Sequence, residues 1–63
     1  MEKGQILNIF GEDVKIEDII INDEPELNII VLETPIKIEG EEYYNKYFFA
    51  DDIKYITKKK KKL

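Results

Sequence analysis

Paired carboxylates at Glu12-Asp13, Asp23-Glu24, Glu41-Glu42 and Asp51-Asp52 are the first groups in this chain whose type and spacing suit chemistry. Two adjacent acids share a proton or help to hold a hard cation, and calcium needs six to eight oxygens at one place. None of these pairs has the alternating acids followed by glycine of an EF-hand loop, so they read as solvated turns and no metal is assigned. The 63-residue sequence has no histidine, cysteine or serine. That removes the commonest general base, the thiolate and hydroxyl nucleophiles and most zinc sites. The bases that remain, carboxylates and Lys15, Lys37, Lys46 and Lys54, stand in no recognisable catalytic spacing. The expectation is a protein that is not an enzyme and carries no cofactor.

Aromatic chemistry is concentrated at Tyr43, Tyr44, Tyr47, Phe48 and Phe49. On a strand, Tyr43, Tyr47 and Phe49 share one face while Tyr44 and Phe48 share the other. One set is expected to fill a core. The other is placed to stack a base or nucleotide, or to anchor a second subunit, because tyrosine offers large contact area at little entropic cost.

Charge is divided unevenly along the chain. Residues 1–57 carry 5 lysines against 14 acids, a net charge of −9, and the other five lysines form the run 58–62. With no arginine to fork onto phosphate, an acidic body repels a polyanion, so any nucleic-acid role depends on specific contacts. Residues 58–63 read as a lysine-rich, disordered and solvated tail; the functional reading is an electrostatic arm for phosphates, acidic partners or anionic lipid. No apolar run approaches membrane-spanning length, and Met1-Glu2-Lys3-Gly4 lacks the basic start of a secretory signal, so no membrane partner and a cytoplasmic location are expected.

The elements that must position these groups are short strands rich in isoleucine, valine, tyrosine and phenylalanine, separated by turn residues. A first strand is expected over 5–10, a turn at Gly11-Glu12-Asp13, and a second strand from Val14. There Val14 and Ile16 alternate with Lys15 and Glu17, whereas Ile19-Ile20-Ile21 is apolar on both faces. That switch predicts a bulge or bend around Asp18, which would let the two halves of one long strand serve different sides of a small barrel. A third strand over 27–33 is followed by an interruption at Thr34-Pro35, a hairpin tip at Gly40, a fourth strand over 42–49, a turn at Ala50-Asp51-Asp52 and a fifth strand over 53–57. The fold expectation is all-β: one domain over 1–57, a small five-stranded, strongly bent barrel. Folding at this length buries only roughly 60% of the unfolded chain's surface, so self-association would help stability.

The segment Glu24-Pro25-Glu26-Leu27-Asn28-Ile29-Ile30-Val31 resembles the first signature of the Sm/LSm family: an acid, two residues, a hydrophobic residue, asparagine and an apolar strand. Phe49-Ala50-Asp51-Asp52-Ile53-Lys54-Tyr55-Ile56 is similar in its apolar frame to the family's second signature, with Phe49-Ala50 where the family has a basic residue and glycine. The resemblance implies an Sm-like barrel whose edge strands pair between subunits to close a ring, with Leu27, Asn28 and Phe49 lining loops that clasp a base. Another SH3-like or Greek-key barrel fits the same pattern.

Two functions follow from these readings. The first is a homo-oligomeric binding module for a nucleotide or short RNA, its ligand site at subunit junctions formed by Leu27, Asn28, Phe49, Asp51, Asp52 and Lys54. The second is a small acidic inhibitor or adaptor that engages a basic protein surface. Its size, acidic body and isoleucine-rich composition resemble those of phage-encoded anti-defence proteins, some of which mimic nucleic-acid charge, and a nucleotide sponge would join the two ideas.

Overall fold

Gly11 and the residue before it make the first reversal. Phe10 and Gly11 both have positive φ, 52° and 87°, and lie between the paired residues Ile9 and Glu12. Two consecutive left-handed residues match the right-handed twist of a tight hairpin. The turn therefore sits at Phe10-Gly11, one residue earlier than the sequence suggests, and Glu12 and Asp13 belong to the second strand. In this computed structural model, which describes residues 1–58, the hairpin joins β1 (Ile6–Ile9) to β2 (Glu12–Ile20).

The bulge expected near Asp18 is present. Ile16 faces Leu32, yet Asp18 faces Val31, so one extra residue of β2 is accommodated between those pairs. Its consequence is a change of parity: Val14 and Ile16 point into the core before the bulge, and Ile19 packs against the core after it. The isoleucine run that fits no simple alternation is thus explained. Asp18 Oδ1 accepts the Ile19 N–H at 2.9 Å, satisfying a donor at the irregularity. The first half of β2 pairs with β1 and the second half with β3 (Ile29–Ile36). Near the crossover, Ile16 N–H donates to the Gln5 carbonyl at 2.8 Å, and Gly4 N–H donates to the Ile16 carbonyl at 2.8 Å.

A 3₁₀ turn at Pro25–Leu27 precedes β3, so Leu27 is not the first residue of that strand. Proline opens the turn where its fixed φ suits a helical start and its missing N–H leaves nothing unpaired. β3 continues to Ile36, but its ladder with β4 (Asn45–Phe49) shifts register between Val31 and Ile36, where Thr34 and the donor-less Pro35 lie. The expected reversal near Gly40 is formed by a turn in which Glu41 N–H donates to the Ile38 carbonyl at 2.9 Å, with Gly40 at φ 93°.

The chain is mostly β, an antiparallel meander in the order β1-β2-β3-β4, and this sheet does not close into a barrel. The fifth strand expected over 53–57 is instead a helix, α1 (Ala50–Lys58), entered directly from β4. Ile53 and Ile56 are both buried, and only a helix puts residues three apart on one face. Asp51 and Asp52 occupy the first turn, where the helix dipole favours negative charge. Thr57 Oγ1 donates to the carbonyls of Ile53 at 2.9 Å and Lys54 at 3.1 Å. The helix lies on one face of the sheet and closes a core of Leu7, Ile9, Val14, Ile16, Ile30, Leu32 and Ile36 with Ile53 and Ile56. The disorder expected of residues 58–63 concerns positions that, apart from Lys58, lie outside the described residues.

Candidate functional site

β4 is an edge strand, and its alternation decides which aromatics are available. Phe48 packs against the core, whereas Tyr47 and Phe49 are exposed on the other face, as the parity of the aromatic cluster predicts. Tyr43 and Tyr44 lie before the strand and are both exposed, so parity does not apply to them. Phe49 stands in register with Ile29, and Ile29 with Ile20, giving a row of three large apolar side chains across three strands on the uncovered face.

Around the free edge of β4 this face continues into a groove of about 510 Å³. Tyr47, Phe49 and Ile29 contribute from the sheet, Asp52, Tyr55 and Ile56 from α1, and Ile38, Glu41 and Asn45 from the connection before β4 and its first residue; Phe48 completes the lining. The positions 52, 55 and 56 are neighbours on one helix face, a spacing invisible as long as 53–57 reads as a strand. Among the described residues the lining holds two carboxylates, Glu41 and Asp52, and no lysine. Apolar and aromatic walls with few polar groups are the usual composition of a ligand groove, and its size is ordinary for one.

Asn45 also shapes the edge. Its Nδ2 donates to the Tyr47 carbonyl at 2.9 Å, and Tyr47 N–H donates to its Oδ1 at 3.2 Å. One carboxamide thus satisfies both backbone groups of Tyr47 in the way a neighbouring strand would.

The six residues singled out from the sequence divide between this groove and its supports. Phe49 and Asp52 line it. Asn28 is half-buried and braces it: Asn28 Oδ1 accepts the Asn22 N–H at 2.7 Å, and its carbonyl accepts the Ala50 N–H at 2.7 Å. Asn28 is therefore brought beside Phe49-Ala50, with its side-chain oxygen engaged in holding the β2–β3 connection. Leu27, Asp51 and Lys54 are exposed and do not line the groove. Sequence reasoning missed Ile29, Ile38, Glu41, Asn45, Tyr55 and Ile56 as groove residues. Among the described residues no group of three or more acids, cysteines or histidines is placed to hold a metal ion, and no helix is long and apolar enough to cross a membrane. No protein-family model, curated protein or solved structure matches this chain.

Proposed function

We propose that this protein is a non-enzymatic binding module that docks a basic protein segment in the groove between β4 and α1, acting as an acidic adaptor or inhibitor. The observation that carries this reading is the groove's lining: aromatic and apolar walls, with Glu41 and Asp52 as the charged groups among the described residues, set in a body of net charge −9. Apolar surface supplies affinity, while the acidic field attracts basic partners and repels acidic ones. Selection of random displayed peptides against the full chain tests it. Enriched peptides should be net positive and should lose binding with Phe49→Ala; neutral or acidic winners, or binding indifferent to Phe49, reject the reading.

A second reading is supported by the Ala50–Asn28 hydrogen bond, which sets Asn28 next to Phe49 where the Sm resemblance puts a bound base. In that reading the protein is an Sm-like module built on a strongly bent open sheet that self-associates and holds a nucleotide or short RNA at subunit junctions. The bulge of β2 and its pairing with β1 over one half and β3 over the other support that reading. Light scattering on gently isolated protein, with mass spectrometry for bound nucleotide, separates the two: a ring-sized mass or a co-purifying nucleotide selects the second, and a ligand-free monomer or dimer selects the first.

A further inference from the structure

The groove also specifies which part of a basic partner enters it, an inference that rests on the docking reading above. A segment that added to β4 as a fifth strand would need the outward backbone groups of that edge. Ala50 N–H donates inward to Asn28, so the alternation of an antiparallel ladder turns Phe48 inward as well and leaves the N–H and C=O of Tyr47 directed outward. Asn45 has already taken both of them, at 2.9 and 3.2 Å. Strand addition is blocked at the middle of the groove, a protection edge strands commonly carry. At Tyr47 an occupant therefore engages through a side chain rather than by strand pairing.

The lining says which kind. Tyr47, Phe49 and Tyr55 bring aromatic surface together with the carboxylates of Asp52 and Glu41. Aromatic rings attract cations through their faces, and a carboxylate accepts two parallel N–H bonds from a planar guanidinium. Arginine satisfies both demands at once, since its head is planar, weakly hydrated and always charged, whereas a lysine ammonium is compact and strongly hydrated. The chain itself shows the related pairing beside the groove, where Lys37 Nζ lies 5.7 Å from the ring centroid of Tyr44, the residue preceding Asn45. We infer that the groove receives the guanidinium of an arginine presented by the partner protein, stacked on the aromatic wall and paired with Asp52 and Glu41.

The test uses acetyl-arginine-amide and its neutral isostere acetyl-citrulline-amide, titrated into the full chain at about 0.15 M salt, where the field of distant charges is screened beyond roughly 8 Å. Amide and ring resonances of the protein are followed by NMR. Arginine should give saturable shifts centred on Tyr47, Phe49, Asp52 and Tyr55, and citrulline should bind about tenfold more weakly or not at all. Asp52→Asn and Glu41→Gln should each weaken the arginine complex several-fold; Glu41 lies outside the helix, so its variant keeps the test usable if Asp52→Asn disturbs α1. Glu12→Gln removes the same charge outside the groove and should leave binding unchanged. Equal binding of citrulline overturns the inference, as does a loss with Glu12→Gln as large as with Asp52→Asn, which would show a diffuse acidic field. If arginine fails while a display-selected lysine peptide still shifts Phe49, the guanidinium inference falls and the docking reading stands. If no basic peptide touches Phe49, both fall.

Discussion

The two faces of the sheet are built from similar side chains and have opposite fates. On the covered face, Ile30 and Leu32 of β3 meet Ile16, Phe48 and the helix residues Ile53 and Ile56, and Leu32 and Ile53 are 0% exposed. On the other face, Ile20, Ile29 and Phe49 stand in register across β2, β3 and β4, yet Ile20 remains 50% and Phe49 47% exposed. The difference comes from cover: α1 is nine residues long and lies against one face only. Apolar residues on the covered face hold the fold together; on the open face Val31, opposite Tyr47, is also buried, while Ile20 and Phe49 are available to something else. A contiguous exposed apolar surface on a small domain marks an interaction site more readily than scattered single residues do.

The largest expected effect breaks this comparison directly. Leu32→Ala removes a fully buried side chain and leaves a cavity, which costs about 2–5 kcal/mol. Small domains hold only about 5 kcal/mol at the low end of the usual range, so this variant should lose most or all of its cooperative unfolding transition in urea. Phe49→Ala, a larger truncation on the open face, should cost less than about 1.5 kcal/mol while abolishing binding of the selected peptides. If urea titration followed by circular dichroism gave the two variants similar losses, the open face would be structural and the division between the faces would not hold.

How much of this division is legible in the sequence depends on local pattern. The bulge at Asp18 follows from the break in alternation between Ile16 and Ile19, and the exposure of Tyr47 and Phe49 relative to Phe48 follows from parity alone. The segment 53–57 defeats the same reasoning because Ile53, Tyr55 and Thr57 also alternate as a strand would. Its helical state is decided by tertiary burial of Ile53 with Ile56 and by the acids at the helix start, and local propensity yields to them. The groove inherits that difficulty. Asp52 and Tyr55 become neighbours only in a helix, and Glu41 joins them only through the turn around Gly40, so the meeting of these three groups in one groove has no sequence signature, although Asp52 and Glu41 each stand out as members of carboxylate pairs.

Asn28 sharpens the comparison from the junction between the faces. Because its side-chain oxygen holds the Asn22 N–H at 2.7 Å, Asn28→Ala removes a hydrogen bond and should cost about 1 kcal/mol of stability. Asn28→Asp keeps the acceptor and should recover most of that loss. Thermal unfolding of the pair separates a bracing role from ligand contact: if both variants unfold like the parent but bind nucleotide less well, Asn28 acts on a ligand, as in the Sm-like reading.

Phe10 offers a gain of similar or smaller size at a site outside the groove lining. An L-residue with a large side chain at φ 52° carries a left-handed penalty of roughly 1–2 kcal/mol, and asparagine tolerates that conformation better. Phe10→Asn creates the Asn-Gly pair that two-residue hairpins favour, and removing the packing of a half-exposed ring offsets part of the benefit. The net expectation is a stabilisation of about 0.5–1 kcal/mol, read as a rise in melting temperature of a few degrees for a domain of this size. No rise would mean that the Phe10 ring contributes packing as large as the strain it imposes.

The smallest effect concerns Lys46, the charged residue of β4. Its Nζ lies 3.5 Å from Glu17 Oε1, at the bulge of β2, with side chains 35% and 53% exposed. Ion pairs this open contribute about 0.2–1 kcal/mol at most, because water and salt screen them and two long side chains lose freedom. A double-mutant cycle with Lys46→Ala and Glu17→Ala should give a coupling near the lower end of that range, vanishing in about 1 M salt, where the Debye length is near 3 Å. A larger, salt-resistant coupling would place the pair among the forces that fix the bulge. The parity switch that points Ile19 inward and Ile20 outward would then rest partly on charge, and the two faces would be separated by an electrostatic contact as well as by the position of α1.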